Sequence, residues 1–507
     1  MKFLSKPALW AMLAVSTLAH GESVFLELSI EELQQELNSG NTTSVELVQW
    51  YQARIKAYDQ QGPKLNAIQH ANESAVEQAA QLDLERSKQG PRTLLHGIPI
   101  LIKDNYETVD APTTAGSAIF DGHWPKKDAT QVAKLKEAGA IVLAKTTMHE
   151  FAFGWTTRGS AFGVTRNPYN PEHHPGGSSG GTGAAVAANF AAAGMGSDTC
   201  GSIRVPSAHN NLVGLRGTQG LSSRHGIIPL SSSRDIGGPL ARSTRDLAVM
   251  LDATVGYDPL DIQTTESFGK IPESYLEALS VINLKELRVG VLRNWFGDQK
   301  ENKSTNQEIE NILSSLRDRG ASVVNLSSPA LSTLKSNVEA PSAYFVDNYD
   351  LIKDLNNYLG QYPVLNVRNF VDLANDPRLE TQVAELWKSY LTPYFQNRNV
   401  YLEEQENAKT IRQLLLALLN DYQIDALVYP TATEEAVPIG SEQSHFNCKL
   451  AAATGLPAIS VPAGFGREGL PVAIEFLAEP WAEQKLLNLA HTIEQVSPTR
   501  RLPGHTP

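Results

Sequence analysis

Residues 176–206 read GGSSGGTGAAVAANFAAAGMGSDTCGSIRVP. Apart from Asn189 and Phe190, no side chain from Gly176 to Ala193 is larger than threonine or valine. A flexible Gly/Ser linker is one way such a stretch behaves. Its interior speaks against that, because AAVAANFAAA favours a tightly packed helix and the chain runs on into the apolar SIRVP. The two Gly/Ser clusters also bring bare backbone N–H groups close to several hydroxyls. Acyl transfer needs both, a hydroxyl to attack a carbonyl and fixed N–H donors to hold the oxyanion.

Helix and strand signals alternate along the rest of the chain. Ser29-Ile30-Glu31-Glu32 and Thr43-Ser44-Val45-Glu46 fit the capping box, in which a hydroxyl and a carboxylate satisfy the first free N–H groups of a helix. HGIPILIKDN (96–105) reads as a buried strand ending in Lys103-Asp104-Asn105. A helix over 129–138 with Gly139 at its exit leads into a strand over 140–143. Further on come a strand at 287–292, a helix at 305–319 with a Thr305/Glu308 capping box, and a strand at 322–326. Strands at 426–429 and 458–462 and an amphipathic helix at 483–496 close the chain. This alternation predicts an α/β fold, a single large domain whose mixed sheet is covered by helices on both faces. Its core spans about 90–260 and 425–500. Residues 330–425 are helical and rich in aromatics; most are expected to pack against one another and a minority to line a cleft that shapes substrate choice.

The formal charge of −12 argues against a surface built to neutralise phosphates, so nucleic acid and anionic membrane are not expected partners. At the N-terminus, Lys2 and Lys6 precede the apolar ALWAMLAVSTLA, and Ala19-His20-Gly21 offers small residues for cleavage. Residues 1–21 therefore read as a signal peptide and 22–507 as a mature chain that is secreted or periplasmic. Only Cys200 and Cys448 are present. One disulfide is arithmetically possible. A bridge at Cys200 would constrain the loop that must present N–H groups, and a fold of this length needs no staple, so two free cysteines are expected.

Three motifs compete for the chemistry. Residues 176–180 formally match G-x-S-x-G, the nucleophile elbow, but the preceding TRNPYNPEHHP has three prolines and no strand pattern. GGSSGGTG lacks the Gly-Lys-Ser/Thr ending of a phosphate loop. Lys103 remains. A lysine closing a strand is often a surface residue, yet desolvation by Ile98, Ile100, Leu101 and Ile102 would lower its pKa and let it act as a base. The histidines show no metal spacing, so no metal or other cofactor is implied.

The chain resembles the amidase signature family. The resemblance rests on Gly-Gly-Ser-Ser-Gly-Gly at 176–181, Asp-Thr-Cys-Gly-Ser-Ile-Arg at 198–204 and the continuation NLVGLRGTQGLSSRHGIIPLSSSRDIGGPLARS at 211–243. HGIPILIKDN upstream and TGLPAISVPAGF…GLPVAIEF (454–476) downstream extend it over nearly the whole mature chain. Its secreted amidases and peptide amidases are the nearest in kind. The resemblance implies Ser202 as nucleophile, Ser178 as a bridging serine behind a cis peptide bond, and Lys103 as base. It implies an oxyanion hole from the backbone N–H groups of Thr199, Cys200, Gly201 and Ser202, with Ser179, Asp198 and Arg204 in support. Cys200 itself has no histidine partner that would make it the nucleophile.

The implied reaction is hydrolysis of a carboxamide, in a small molecule or at the C-terminus of a peptide, through an acyl-enzyme. The implied protein is a monomer or homodimer. An amidotransferase subunit that supplies ammonia to tRNA-bound glutamate fits the signal peptide and the acidic charge poorly. An inactive, ligand-binding member of the family would be free to lose Lys103, Ser178 and Ser202, and all three are present.

Overall fold

The strands alternate their side chains between two buried faces, and this alternation places the residues that matter. The computed structural model describes residues 24–326, 329–339, 344–362, 367–444 and 446–507; the stretch read as a signal peptide lies outside the described residues. In chain order the strands are β1 (Ile68–Ala71), β2 (Pro99–Lys103), β3 (Ile141–Thr146), and the short β4 (Arg158–Gly159) and β5 (Gly163–Val164). Next come β6 (Ala193–Asp198), β7 (Val213–Arg216) and β8 (Ile236–Ala241). The C-terminal part adds β9 (Arg288–Leu292), β10 (Ser322–Leu326), β11 (Ala426–Pro430), β12 (Ala458–Phe465) and β13 (Pro471–Leu477).

β4 and β5 pair with each other, and the rest form one mixed sheet in the order β1-β3-β2-β6-β8-β7-β12-β13-β11-β9-β10. β2 lies parallel to both β3 and β6, β12 and β13 form a long antiparallel pair, and β9 is parallel to β10 and β11. Along β2, Ile100 and Ile102 join the cluster that covers one whole face, while Leu101 turns to the other face with Ala184 and Val186. β11 behaves likewise, with Ala426 and Val428 on the first face and Leu427 and Tyr429 on the second. Because successive side chains point to opposite faces, Lys103 shares the face of Leu101.

The alanine-rich stretch divides into two elements. Its first half is the helix Gly180–Ala187, in which all eight residues are buried. After a turn over 188–192, β6 begins at Ala193, so the tightly packed helix expected on the sequence stops at Ala187, well short of the end of the alanine run. Asn189, in the left-handed region at φ 57°, ends the helical conformation. Its side chain donates to Glu27 Oε1 at 2.6 Å and accepts from the Glu27 N–H at 3.0 Å. The small residues let the helix lie directly on the sheet. A Cβ on Gly194 would stand 2.5 Å from Thr182 Cγ2, and one on Gly181 would run into the backbone of Thr147.

Both early capping boxes form, at Ser29/Glu32 and Thr43/Glu46. The one expected at Thr305/Glu308 does not. That helix spans Asn302–Asp318, and Thr305 lies inside it on the buried stripe with Ile309, Ile312 and Leu316. Burial of that stripe sets the start of the helix, overriding the local capping signal. Among residues 330–425, the helices Phe345–Gln361, Phe370–Asn375 and Thr381–Tyr390 share a satellite core with Phe120, Met148 and Phe151. Among the described residues no helix is long and apolar enough to cross a membrane.

The close approach of helix to sheet is directly testable. Gly181→Ala forces the helix away from Thr147 and is expected to destabilise the protein by about 1–3 kcal/mol, read as a lowered urea midpoint.

Candidate active site

Lys103 ends β2 and is completely buried. Its Nζ lies 2.7 Å from Ser178 Oγ, 2.9 Å from Ser197 Oγ and 3.4 Å from the Ser197 carbonyl. Burial pushes the lysine pKa down to about 7, against the upward pull of Asp198 and Asp235. A neutral amine has two N–H donors and one lone pair. The two oxygens of Ser197 can take the donors, which leaves the lone pair for the Ser178 hydroxyl. Asn105 Nδ2 donates to Ser197 Oγ at 3.0 Å and holds it in place.

Ser178 follows Gly177 through a cis peptide bond, and its carbonyl accepts from the His149 N–H at 2.9 Å. Ser179 ties this segment to its neighbours. Its hydroxyl donates to the Ser197 carbonyl at 3.2 Å, and its N–H donates to the Ser202 carbonyl at 3.3 Å. Ser202 lies in the turn between β6 and the helix Arg204–His209 and is 3% exposed. Its hydroxyl makes no hydrogen bond to another described residue, so the lysine-to-Ser178 leg is formed in this structure and the Ser178-to-Ser202 leg is not.

Asp198 organises the loop that carries Ser202. Its Oδ1 accepts from the Gly201 N–H at 2.8 Å, and its Oδ2 accepts from the Ile203 N–H at 3.2 Å. Arg204 Nε and Arg216 Nη1 reach the same carboxylate at 3.1 and 2.8 Å. Burial alone would raise the Asp198 pKa, but these two guanidinium groups hold it well below the usual carboxylate range. Arg204 also pairs with Glu475 of β13, which accepts from the Tyr429 hydroxyl at 2.9 Å. The bracing expected of Asp198 and Arg204 is thus part of a larger buried network. Arg216 could not be picked out from the sequence. Glu475 left a trace there, as a charged residue inside the otherwise apolar PVAIEFL.

Two expectations are corrected. The Gly201 N–H, counted as an oxyanion donor, already donates to Asp198; those of Thr199, Cys200 and Ser202 donate to no described residue. The cysteines are not free, because Cys200 and Cys448 form a disulfide across 248 residues of sequence. Constraint on the loop counts against a bridge only if the loop must move, whereas donors that must stay fixed benefit from it. The bridge acts through the Cys200 side chain, and Trp155 Nε1 anchors the Cys200 carbonyl at 2.9 Å. Nothing in the local sequence places Cys448 beside this loop.

A cavity of about 280 Å³ opens over Ser202, with Phe153, Trp155, Leu386 and Tyr390 among its walls and Asp347 and Asn348 as polar members. Tyr390 comes from the aromatic-rich region. Asp347 and Asn348 do not stand out in the sequence, where nothing distinguishes them from other polar residues of a helix. Among the described residues, no group of three or more His, Cys, Asp or Glu side chains is placed to hold a metal ion.

The large mixed sheet, with a buried lysine bonded to one serine and a second serine in a braced turn, is the framework of an amide-cleaving enzyme of the amidase signature class. The amidase family model matches residues 46–487, and the chain belongs to that family. It is 32% identical to a glutamyl-tRNA(Gln) amidotransferase subunit of Ralstonia pickettii, over 92% of this chain and 97% of that protein. The corresponding subunit of Geotalea daltonii is 34% identical, over 92% and 97%. Among solved structures, native peptide amidase from Stenotrophomonas maltophilia superposes with a TM-score of 0.85 at 33% identity, covering 95% of this chain and 99% of its own. The corresponding amidotransferase subunit of Thermotoga maritima gives a TM-score of 0.72 at 28% identity, covering 94% and 98%.

Proposed function

We propose that this protein is an exported amidase that hydrolyses carboxamides, releasing ammonia and a carboxylic acid. The observation that carries this reading is the fully buried Lys103 Nζ, 2.7 Å from Ser178 Oγ, with its pKa lowered to about 7. In the proposed cycle, neutral Lys103 accepts the Ser178 proton while Ser178 takes the proton of Ser202. Ser202 Oγ then attacks the amide carbon, and the N–H groups of Thr199, Cys200 and Ser202 receive the oxyanion. The proton passes back through Ser178 to the leaving nitrogen as the C–N bond breaks. Water, deprotonated along the same route, attacks the acyl-enzyme, releases the acid and restores Ser202. Substrate binding closes the Ser178–Ser202 contact, since catalytic hydrogen bonds are often long or unformed in a free enzyme.

The names of the sequence relatives favour a second reading, a component of an amidotransferase. The structural likeness supports the stand-alone amidase, with a TM-score of 0.85 to the peptide amidase against 0.72 to the amidotransferase component. The net charge of −12 points the same way, because tRNA is a polyanion. Ammonia release by the isolated chain from carboxamides unrelated to glutamine separates the two.

Ser202→Ala is expected to abolish ammonia release, a loss on the order of a million-fold, together with covalent labelling by a fluorophosphonate. Turnover that survives in this variant would refute the mechanism. The pH dependence follows from the sign of the lysine shift. The neutral amine is the active form, so kcat/KM rises as pH passes upward through about 7. Below that value it falls about tenfold per unit, and a profile flat to pH 5 would contradict the relay. Export is supported by the pattern of residues 1–21 and by the Cys200–Cys448 bridge, since such bridges persist in oxidising compartments. Protein recovered from periplasm or medium is expected to begin near Glu22 and to show no free thiol until it is reduced in denaturant.

A further inference from the structure

The cavity over Ser202 has mostly apolar and aromatic walls, where an acidic side chain is costly unless it is paired. Asp347 is the exception. It lies in the first turn of the helix Phe345–Gln361 and lines the cavity, with its side chain 9% exposed. Among the described residues one hydrogen bond reaches it, from Arg234 Nη1 to Oδ2 at 2.9 Å, and the buried Oδ1 has no partner. An ionised carboxylate offers about four acceptor sites, so most of this acceptor capacity is unused. Burial pushes its pKa up, and Arg234 opposes that rise.

Asp347 is also held in a fixed relation to the nucleophile. The Arg234 carbonyl accepts from Arg216 Nη2 at 2.6 Å, and Arg216 Nη1 reaches Asp198, the residue that braces the Ser202 loop. One turn along the helix, Asp350 accepts from the Ser231 hydroxyl at 2.9 Å and the Ser233 N–H at 3.0 Å. Asp347 and Ser202 are therefore two points on one rigid frame.

We propose that Asp347 accepts a hydrogen bond from an N–H group in the acyl part of the substrate. On this reading, which rests on the proposed amide hydrolysis, the enzyme selects acyl groups of peptide type, with an acylated amino group beside the scissile carboxamide. Acyl groups of the same shape without that N–H bind less well. A neutral N–H suits the site better than an ammonium group. The Arg234 cation already balances the carboxylate, and an ammonium would lose more solvation on entering apolar walls.

The test compares ammonia release from N-acetylphenylalaninamide and from its ester isostere, in which oxygen replaces the acyl-side N–H. The wild-type enzyme is expected to favour the N–H compound by about 10- to 100-fold in kcat/KM, the usual worth of a hydrogen bond to a charged acceptor. Asp347→Ala is expected to erase that ratio. In Asp347→Asn, Arg234 retains the side-chain oxygen and the amide NH₂ replaces Oδ1, so the ratio is expected to vanish or invert. Fluorophosphonate labelling of Ser202 reports whether each variant is folded with a competent nucleophile. Equal rates for the two compounds in the wild type, or an unchanged ratio in a labelled variant, overturn the role of Asp347. If no carboxamide releases ammonia at all, the parent reading fails and takes this one with it, an outcome distinct from equal rates.

Discussion

The Asp198 carboxylate is the point on which the site depends. It sits at the end of β6 with no exposure to solvent and collects two guanidinium groups and two backbone N–H groups. Each partner belongs to a different part of the mechanism's scaffold. Gly201 and Ile203 shape the turn around Ser202, Arg216 leads to the loop carrying Arg234, and Arg204 reaches across to Glu475. Removing one member of such a cluster leaves an uncompensated buried charge, at a cost of about 3–5 kcal/mol. The network therefore ties the nucleophile turn to the sheet, and the Cys200–Cys448 bridge adds a covalent link from that turn to the start of the helix Lys449–Thr454.

Lys103 meets an opposite requirement. It must be buried without an ion pair, because a carboxylate in contact would keep it charged. Hydroxyl and carbonyl oxygens surround it instead, and Asp198 and Asp235 raise its pKa without offsetting desolvation. Asp198 is committed to its arginines, which allows an anion to sit near a lysine whose pKa falls to about 7. Two adjacent residues, Ser197 and Asp198, thus divide the work: one solvates the base and the other braces the nucleophile turn.

Much of this is legible locally. The β2 strand, the closing helix and the two early capping boxes depend on periodicity and on contacts within a few residues, and they form as read. Lys103, Ser178 and Ser202 stand in dense motifs that mark them without any structure. Where distant burial competes with a local signal, the local signal loses. Thr305 could cap a helix but is needed in a buried stripe, and the alanine run leaves helix after Ala187, turns, and enters β6 at Ala193. The Gly201 N–H passes for a free donor in the sequence, because the carboxylate that claims it acts through geometry no spacing rule encodes.

The sequence by itself determined the fold class and the family, and it pointed to Lys103, Ser178 and Ser202, of which the first two are hydrogen-bonded to each other. It could do so because strand alternation, small-residue packing and motif chemistry are properties of short segments. Only the tertiary structure decided that Cys448 bridges to Cys200, that Glu475 and Arg216 complete the charge cluster, and that Asp347 faces the cavity over Ser202. Those pairings join residues hundreds of positions apart or on separate elements. Their partners are selected by which faces the sheet buries together, a choice the linear order does not contain.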